Sequence, residues 1–209
     1  AGIDITMFMS DMSLNENLSS TPQDRRELMD LVERMQSAFT TIAKSKVPTI
    51  ALAHGFCIGG ATSLVSACDI RLATKDAKFS IGETKLGLVA DVGVIQRMPK
   101  IVSSGDMNEL ALTGRVFDGE HAERIRFVSK VYENSDELFE AGEKLANEIS
   151  SNSKRIVQAT KQALEKSSNL TVDQGLEYAK LWSTSFLVSE DLREGVMAFL
   201  EKRNPKFNE

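Results

Sequence analysis

The sequence predicts an α/β fold, a core of short strands and helices followed by a helical carboxyl-terminal region, and three observations predict it. Residues 47–69, Val-Pro-Thr-Ile-Ala-Leu-Ala-His-Gly-Phe-Cys-Ile-Gly-Gly-Ala-Thr-Ser-Leu-Val-Ser-Ala-Cys-Asp, read as strand, turn and helix. Residues 70–73 and 77–81 read as two more short strands joined at Thr74-Lys75-Asp76. From residue 136 onward, apolar residues recur at spacings of three and four, the period of an amphipathic helix. A chain of 209 residues is long enough for one domain with a substantial core and an appended helical part.

Ala1-Gly2-Ile3-Asp4-Ile5 has no initiator Met and no signal-like basic and apolar regions, and reads as the end of a strand cut from something longer. Residues 9–19 are Ser/Asn-rich and read as a mobile loop. Thr21 then stands as an N-cap, with Pro22 at the first helical position and Asp24 supplying acid in the first turn. Leu28, Leu31, Val32, Met35, Phe39 and Ile42 give that helix one apolar stripe, read as core packing.

Residues 49–53 fit a buried strand bounded by Pro48 and Gly55. Gly59-Gly60 opens the small-sided helix 61–68. Glycines let a backbone approach a ligand closely, and the free N–H groups of a helix start favour developing negative charge. The pair is therefore a candidate oxyanion site, although many such turns merely pack.

Glu83 follows the strand 77–81 and precedes the apolar stretch 86–89. Desolvation by that much hydrocarbon should raise its pKa toward the range of a general acid or base; capping the next turn or pairing with Lys85 is the structural alternative. Asp91, in Asp91-Val92-Gly93, fits a helix N-cap equally well. The remaining elements are helices over 94–101 and 107–113, a turn-rich link over 114–119, a helix over 120–125 and a strand over 127–132. Helices over 136–150, 156–166, 172–187 and 191–202 complete the chain. No internal repeat of 20 to 50 residues is visible.

Net charge is −5, against a nucleic-acid surface, and no apolar run approaches the roughly 18 residues of a membrane span. Cys57 and Cys68 are too few for a disulfide framework or a zinc site, which points to a reducing compartment. His54 and His121 lie far apart in different elements, so no metal site is expected.

The runs His54-Gly-Phe-Cys-Ile-Gly-Gly60, Leu64-Val-Ser-Ala-Cys-Asp-Ile-Arg71 and Gly87-Leu-Val-Ala-Asp-Val-Gly93 are specific. Through them the chain resembles the crotonase (enoyl-CoA hydratase/isomerase) superfamily, and within it the delta-3,5-delta-2,4-dienoyl-CoA isomerases, over nearly its whole length. The resemblance implies a crotonase-like spiral core of ββα units over 1–135, its amino-terminal strands missing, and a helical region over 136–209 for packing and oligomerisation. It implies an acyl-CoA double-bond isomerase of the fatty-acid β-oxidation type. Backbone N–H groups of Ile3 and Gly60 would form the oxyanion hole, Glu83 would shuttle the proton, and Asp91 would be an auxiliary carboxylate. Ala1, Gly2, Asp4, Gly59 and Ser63 would line the substrate. No cofactor is expected beyond the coenzyme A of the substrate itself. A homotrimer or pair of trimers, in the cytoplasm or an organelle matrix, is expected.

Ser63 departs from that pattern, because hydratases and dienoyl isomerases carry a carboxylate there. A serine hydroxyl is neutral and too weak a base to substitute, whereas a single carboxylate can still move a proton between carbons two apart. An enoyl-CoA hydratase or lyase is the alternative reading, disfavoured by Ser63, and a paralogue that binds acyl-CoA without turnover is the third. Arg126-Phe127-Val128 in place of Gly-Leu-Val, and Ser153-Lys154 in place of Ser-Pro, are lesser departures. Lys202 and Lys206 are candidates for the nucleotide end of CoA, with ordinary solvated charge as the alternative role.

Overall fold

Short apolar runs cut by glycine cannot form long strands, so the core is assembled from strands of two to five residues. A computed structural model describes residues 21–207, which form two compact units, one of 21–44 and 49–142, the other of 45–48 and 143–207. The first unit opens with α1 (Pro22–Ala43), whose Thr21 and Asp24 make a reciprocal capping box. Its apolar stripe lies only half-buried, and Leu28 is exposed, so the expected core packing is a one-sided contact.

Next come β1 (Ile50–Ala53), β2 (Phe56–Ile58) and α2 (Gly60–Ala67), then β3 (Ile70–Thr74) and β4 (Lys78–Ser80). After β4 the chain makes a 3₁₀ turn (Gly82–Leu86), α3 (Val94–Arg97), a second 3₁₀ turn (Met98–Lys100) and α4 (Ser104–Thr113). β5 (Phe117–Asp118), α5 (Gly119–Arg124) and β6 (Lys130–Tyr132) follow, and α6 (Ser135–Ser150) runs across the division between units.

The strands of the described residues sort into two three-stranded sheets. β1, β3 and β6 are all parallel, with Ile50 opposite Ile70 and Leu72 opposite Lys130; β2 pairs parallel with β4, and β5 lies antiparallel to β4. Two successive strands thus enter different sheets before a helix returns, twice in succession.

The turn expected over 54–60 holds β2, a strand too short to show a period. The strands 70–73 and 77–81 are joined in sequence yet belong to separate sheets. β5 lies inside the stretch read as a turn-rich link. The helix expected over 94–101 tightens to 3₁₀ geometry at Met98, next to Pro99. Phe127 and Val128 are fully buried without being part of β6, because they fill the core after a bend at Arg126. Arg126 has φ 66°, the left-handed conformation that the more usual glycine adopts without strain.

The core gathers between these elements. Phe79 stacks on Phe117 at 5.5 Å and meets Phe127 edge-on at 5.6 Å, with Ile81, Val94, Met98 and Leu110 fully buried around them. α1 packs against α2.

In the second unit, α7 (Lys154–Ser167) packs on α8 (Val172–Phe186), and α9 (Glu190–Glu201) follows. Ser153 caps α7 and donates to the buried Asp191 carboxylate at 2.7 Å, so a serine cap serves where Ser-Pro is usual. Glu194 accepts a two-pronged pair from Arg203 and the N–H of Lys206, folding the tail onto α9; these bonds pull its carboxyl down to about 2. No described helix is long and apolar enough to cross a membrane.

Candidate active site

The site forms where β2 ends and α2 begins. Gly59 has φ 57° and ψ −116°, open to glycine and strained for any side chain. Its N–H donates to Ser80 O at 2.9 Å and its carbonyl accepts the Ser63 N–H at 3.1 Å, fixing the turn between β4 and the first helical bond. The Thr62 hydroxyl, fully buried, lies 2.6 Å from Cys57 O and 3.0 Å from Ser80 O and staples the turn to both strands. Gly60 is the first residue of α2, so its N–H has no carbonyl of its own helix to meet and is free to bind developing charge.

Glu83 sits in the 3₁₀ turn after β4 and leans onto that glycine turn. A Cβ placed on Gly59 would stand 3.4 Å from Glu83 Oε1 and 3.7 Å from its Cδ. Glu83 Oε2 is buried without a hydrogen-bond partner. Desolvation pushes the carboxyl up from its usual range; its own backbone N–H pulls the other way, and the nearby Asp91 charge adds to the rise. Lys85, the alternative partner, instead lays its stem where a Cβ on Gly114 would come within 3.1 Å of it.

Asp91 is not the N-cap of α3. That position belongs to Gly93, with φ 116° and no side-chain cap, because the chain turns through a conformation only glycine takes easily. The Asp91 side chain is exposed, and its backbone carbonyl accepts from Gln36 Nε2 of α1 at 2.7 Å. Ser63, one turn into α2, is fully buried, and its hydroxyl has no partner.

The structure therefore gathers Gly59, Gly60, Ser63 and Glu83, and the Asp91 charge is the least of the influences on the Glu83 carboxyl. Ile3, Ala1, Gly2 and Asp4 lie outside the described residues. His54 packs against Phe139 and His121 lies against Phe117 near Arg124, away from one another in separate elements. Burial pushes the Cys57 thiol up to about 11, which unfits it as a nucleophile. Lys202 ends α9 in a left-handed turn. Among the described residues no group of three or more His, Cys, Asp or Glu could hold a metal ion.

Thr62 carried one faint sequence signal, a hydroxyl among small apolar neighbours at the start of α2, and its bond to Ser80 O, 18 residues on, lies beyond a local reading. Chemically, a free N–H beside a desolvated carboxyl suits removal of a proton next to a carbonyl, with the charge that forms on oxygen held by the peptide.

The family model for enoyl-CoA hydratase/isomerase matches residues 6–209. The chain is 47% identical over 188 residues to the mitochondrial Delta(3,5)-Delta(2,4)-dienoyl-CoA isomerase of Dictyostelium discoideum, covering 90% of this chain and 64% of that protein. It is 39% identical over 207 residues to the peroxisomal protein of that name from Arabidopsis thaliana, covering 99% and 74%. The chain thus spans less than two thirds of the length of the first of these relatives and about three quarters of the second. A solved enoyl-CoA hydratase from Bacillus anthracis superposes with a TM-score of 0.81 at 27% identity, over 93% of this chain and 74% of that one.

Proposed function

The chain belongs to the enoyl-CoA hydratase/isomerase family, and from that footing we propose that it is an acyl-CoA double-bond isomerase. The substrate is a 3-enoyl- or 3,5-dienoyl-CoA thioester. Its carbonyl oxygen accepts from the Gly60 N–H and from the N–H of Ile3. Glu83 takes a proton from C2, and the C2–H electron pair forms the C1–C2 double bond of a dienolate as the carbonyl pair moves onto the thioester oxygen. When that charge returns and the carbonyl re-forms, the C1–C2 pair becomes the C2–C3 double bond and, in the 3-enoyl substrate, the former C3–C4 pair takes the proton back from Glu83 at C4. Proton, electrons and double bond all balance without an added cofactor beyond the CoA of the substrate.

The single observation carrying this reading is the Glu83 carboxyl packed on the glycine turn, desolvated and with one oxygen unpartnered. Asp91 serves as the auxiliary carboxylate, and Ala1, Gly2, Asp4, Gly59 and Ser63 line the substrate. Ser63 argues against hydration, which needs a second proton carrier where this chain has a buried neutral hydroxyl. A homotrimer or pair of trimers is part of the proposal, supported by the exposed Leu187, Val188, Phe199 and Leu200, of the kind an assembly covers. The relatives' names support a mitochondrial or peroxisomal matrix.

A substrate panel tests the proposal. Purified full chain should convert 3-enoyl- or 3,5-dienoyl-CoA to the 2-unsaturated thioester, seen by its ultraviolet absorbance, and add water to crotonyl-CoA slowly. Rapid hydration of crotonyl-CoA would contradict it, as would binding of all three without turnover.

A further inference from the structure

We infer that the apolar strip of Leu86, Leu88 and Val89, beside Glu83, receives the hydrocarbon tail of the acyl group and selects medium-chain and longer thioesters over short ones. The inference rests on the reading of Glu83 as the proton carrier and names the substrate class which that reading leaves open.

Apolar side chains next to a core normally turn into it, and the neighbours of the strip do so: Ile81 ahead of the 3₁₀ turn, and Ala90 and Val92 beyond the strip, are buried. The strip itself does the opposite. Leu86 is 57% exposed, Leu88 48% and Val89 77%, three large hydrocarbon side chains within four residues. A lone exposed leucine is ordinary, whereas such a cluster marks a surface that something apolar covers. Open space lies over it, since a Cβ added to Gly87, in its middle, would meet no atom within 4 Å.

The strip is held firmly. The Gly87 N–H donates to Thr84 O at 3.3 Å and the Leu88 N–H to Glu83 O at 3.0 Å, closing the end of the turn, and the φ of 74° at Gly87 lets the chain double back there. The Thr84 hydroxyl donates to Ala111 O at 2.7 Å, which pins the turn to α4.

Its place relative to the chemistry follows from the turn. Side chains three apart in a 3₁₀ helix stand one above the other, so Leu86 shares the face of Glu83, about 6 Å along the axis. Glu83 returns the proton to C4 of a 3-enoyl thioester, so the carbons from C5 onward start beside this carboxyl and run away from the thioester held at Gly60. Lys85, the cation of the same turn, lays its stem against Gly114 instead. The surface offered to the tail is therefore hydrocarbon.

The test is equilibrium binding of saturated acyl-CoA, butyryl against decanoyl, to the full chain by calorimetry, which needs no double bond and no turnover. Full burial of one methylene is worth roughly fourfold in affinity, so six more methylenes lying on one apolar face should give wild type about a 10- to 100-fold preference for decanoyl-CoA. Leu88→Ser and Val89→Ser, both at exposed positions, should each cut that preference several-fold, and the double variant should cut it further. No preference in wild type, or a wild-type preference kept in the double variant, would overturn the inference. So would a change of mass in light scattering with the preference kept, which assigns the strip to an interface between copies. Inactivity on every unsaturated thioester, with a preference that depends on Leu88 and Val89, would remove the isomerase reading and leave the tail site standing; turnover that Glu83→Gln abolishes, with no preference, would do the reverse.

Discussion

At the scale of single residues, the proposed chemistry turns on one carboxyl that the fold makes reluctant to ionise. Glu83 is held above its ordinary value near 4.5, chiefly by desolvation. A carboxyl with a raised folded pKa binds more protons folded than unfolded between its two pKa values, so stability falls as pH rises through that window. Glu83→Gln should accordingly melt higher than wild type at pH 7, while the difference closes near pH 4. An equal or lower melting temperature at pH 7 would mean that the carboxyl is better solvated than its burial suggests. Activity runs the other way, because only the ionised form removes a proton. The candidate residues legible in the sequence were those whose type and neighbours both spoke: a glycine pair between strand and helix, and an acid beside an apolar stretch. The cap alternative for Asp91 fails because the N-cap position of α3 falls to Gly93, where the turn needs glycine's positive φ.

At the scale of elements, the glycine turn is only as firm as its ties to β2 and β4. Thr62 carries one of those ties in a fully buried place. Thr62→Val keeps the shape and removes the hydroxyl, so it should cost about 1–3 kcal/mol in chemical denaturation. Isomerisation should slow with it, as the Gly60 N–H loses its fixed aim. Unchanged stability would show that water or the strand ladders satisfy Cys57 O and Ser80 O without the side chain. The long helices were legible because four turns repeat a pattern several times, and Thr21 marks the start of α1 as a cap; the caps Ser153 and Thr171 emerge only in the structure. β2 and β5 were not legible, because three and two residues hold no period and their pairing partners lie some twenty or more residues away. Arg126 illustrates the same limit: its left-handed φ is imposed by Phe127 and Val128 filling the core, which a local reading cannot see.

At the scale of the whole molecule, the first unit has an alternating two-sheet architecture, and it alone carries the described parts of the site. The fold class followed from local signals and the resemblance together; the sorting of successive strands into two sheets required the long-range pairing. The central claim is that Glu83, seated on the Gly59-Gly60 turn, moves the proton. The most direct measurement is the isomerisation rate of 3-enoyl-CoA by wild type and by Glu83→Gln, with acyl-CoA affinity measured alongside. The account predicts a loss of about 10²–10⁴-fold in kcat with affinity retained, and a Glu83→Gln variant turning over at the wild-type rate would contradict it.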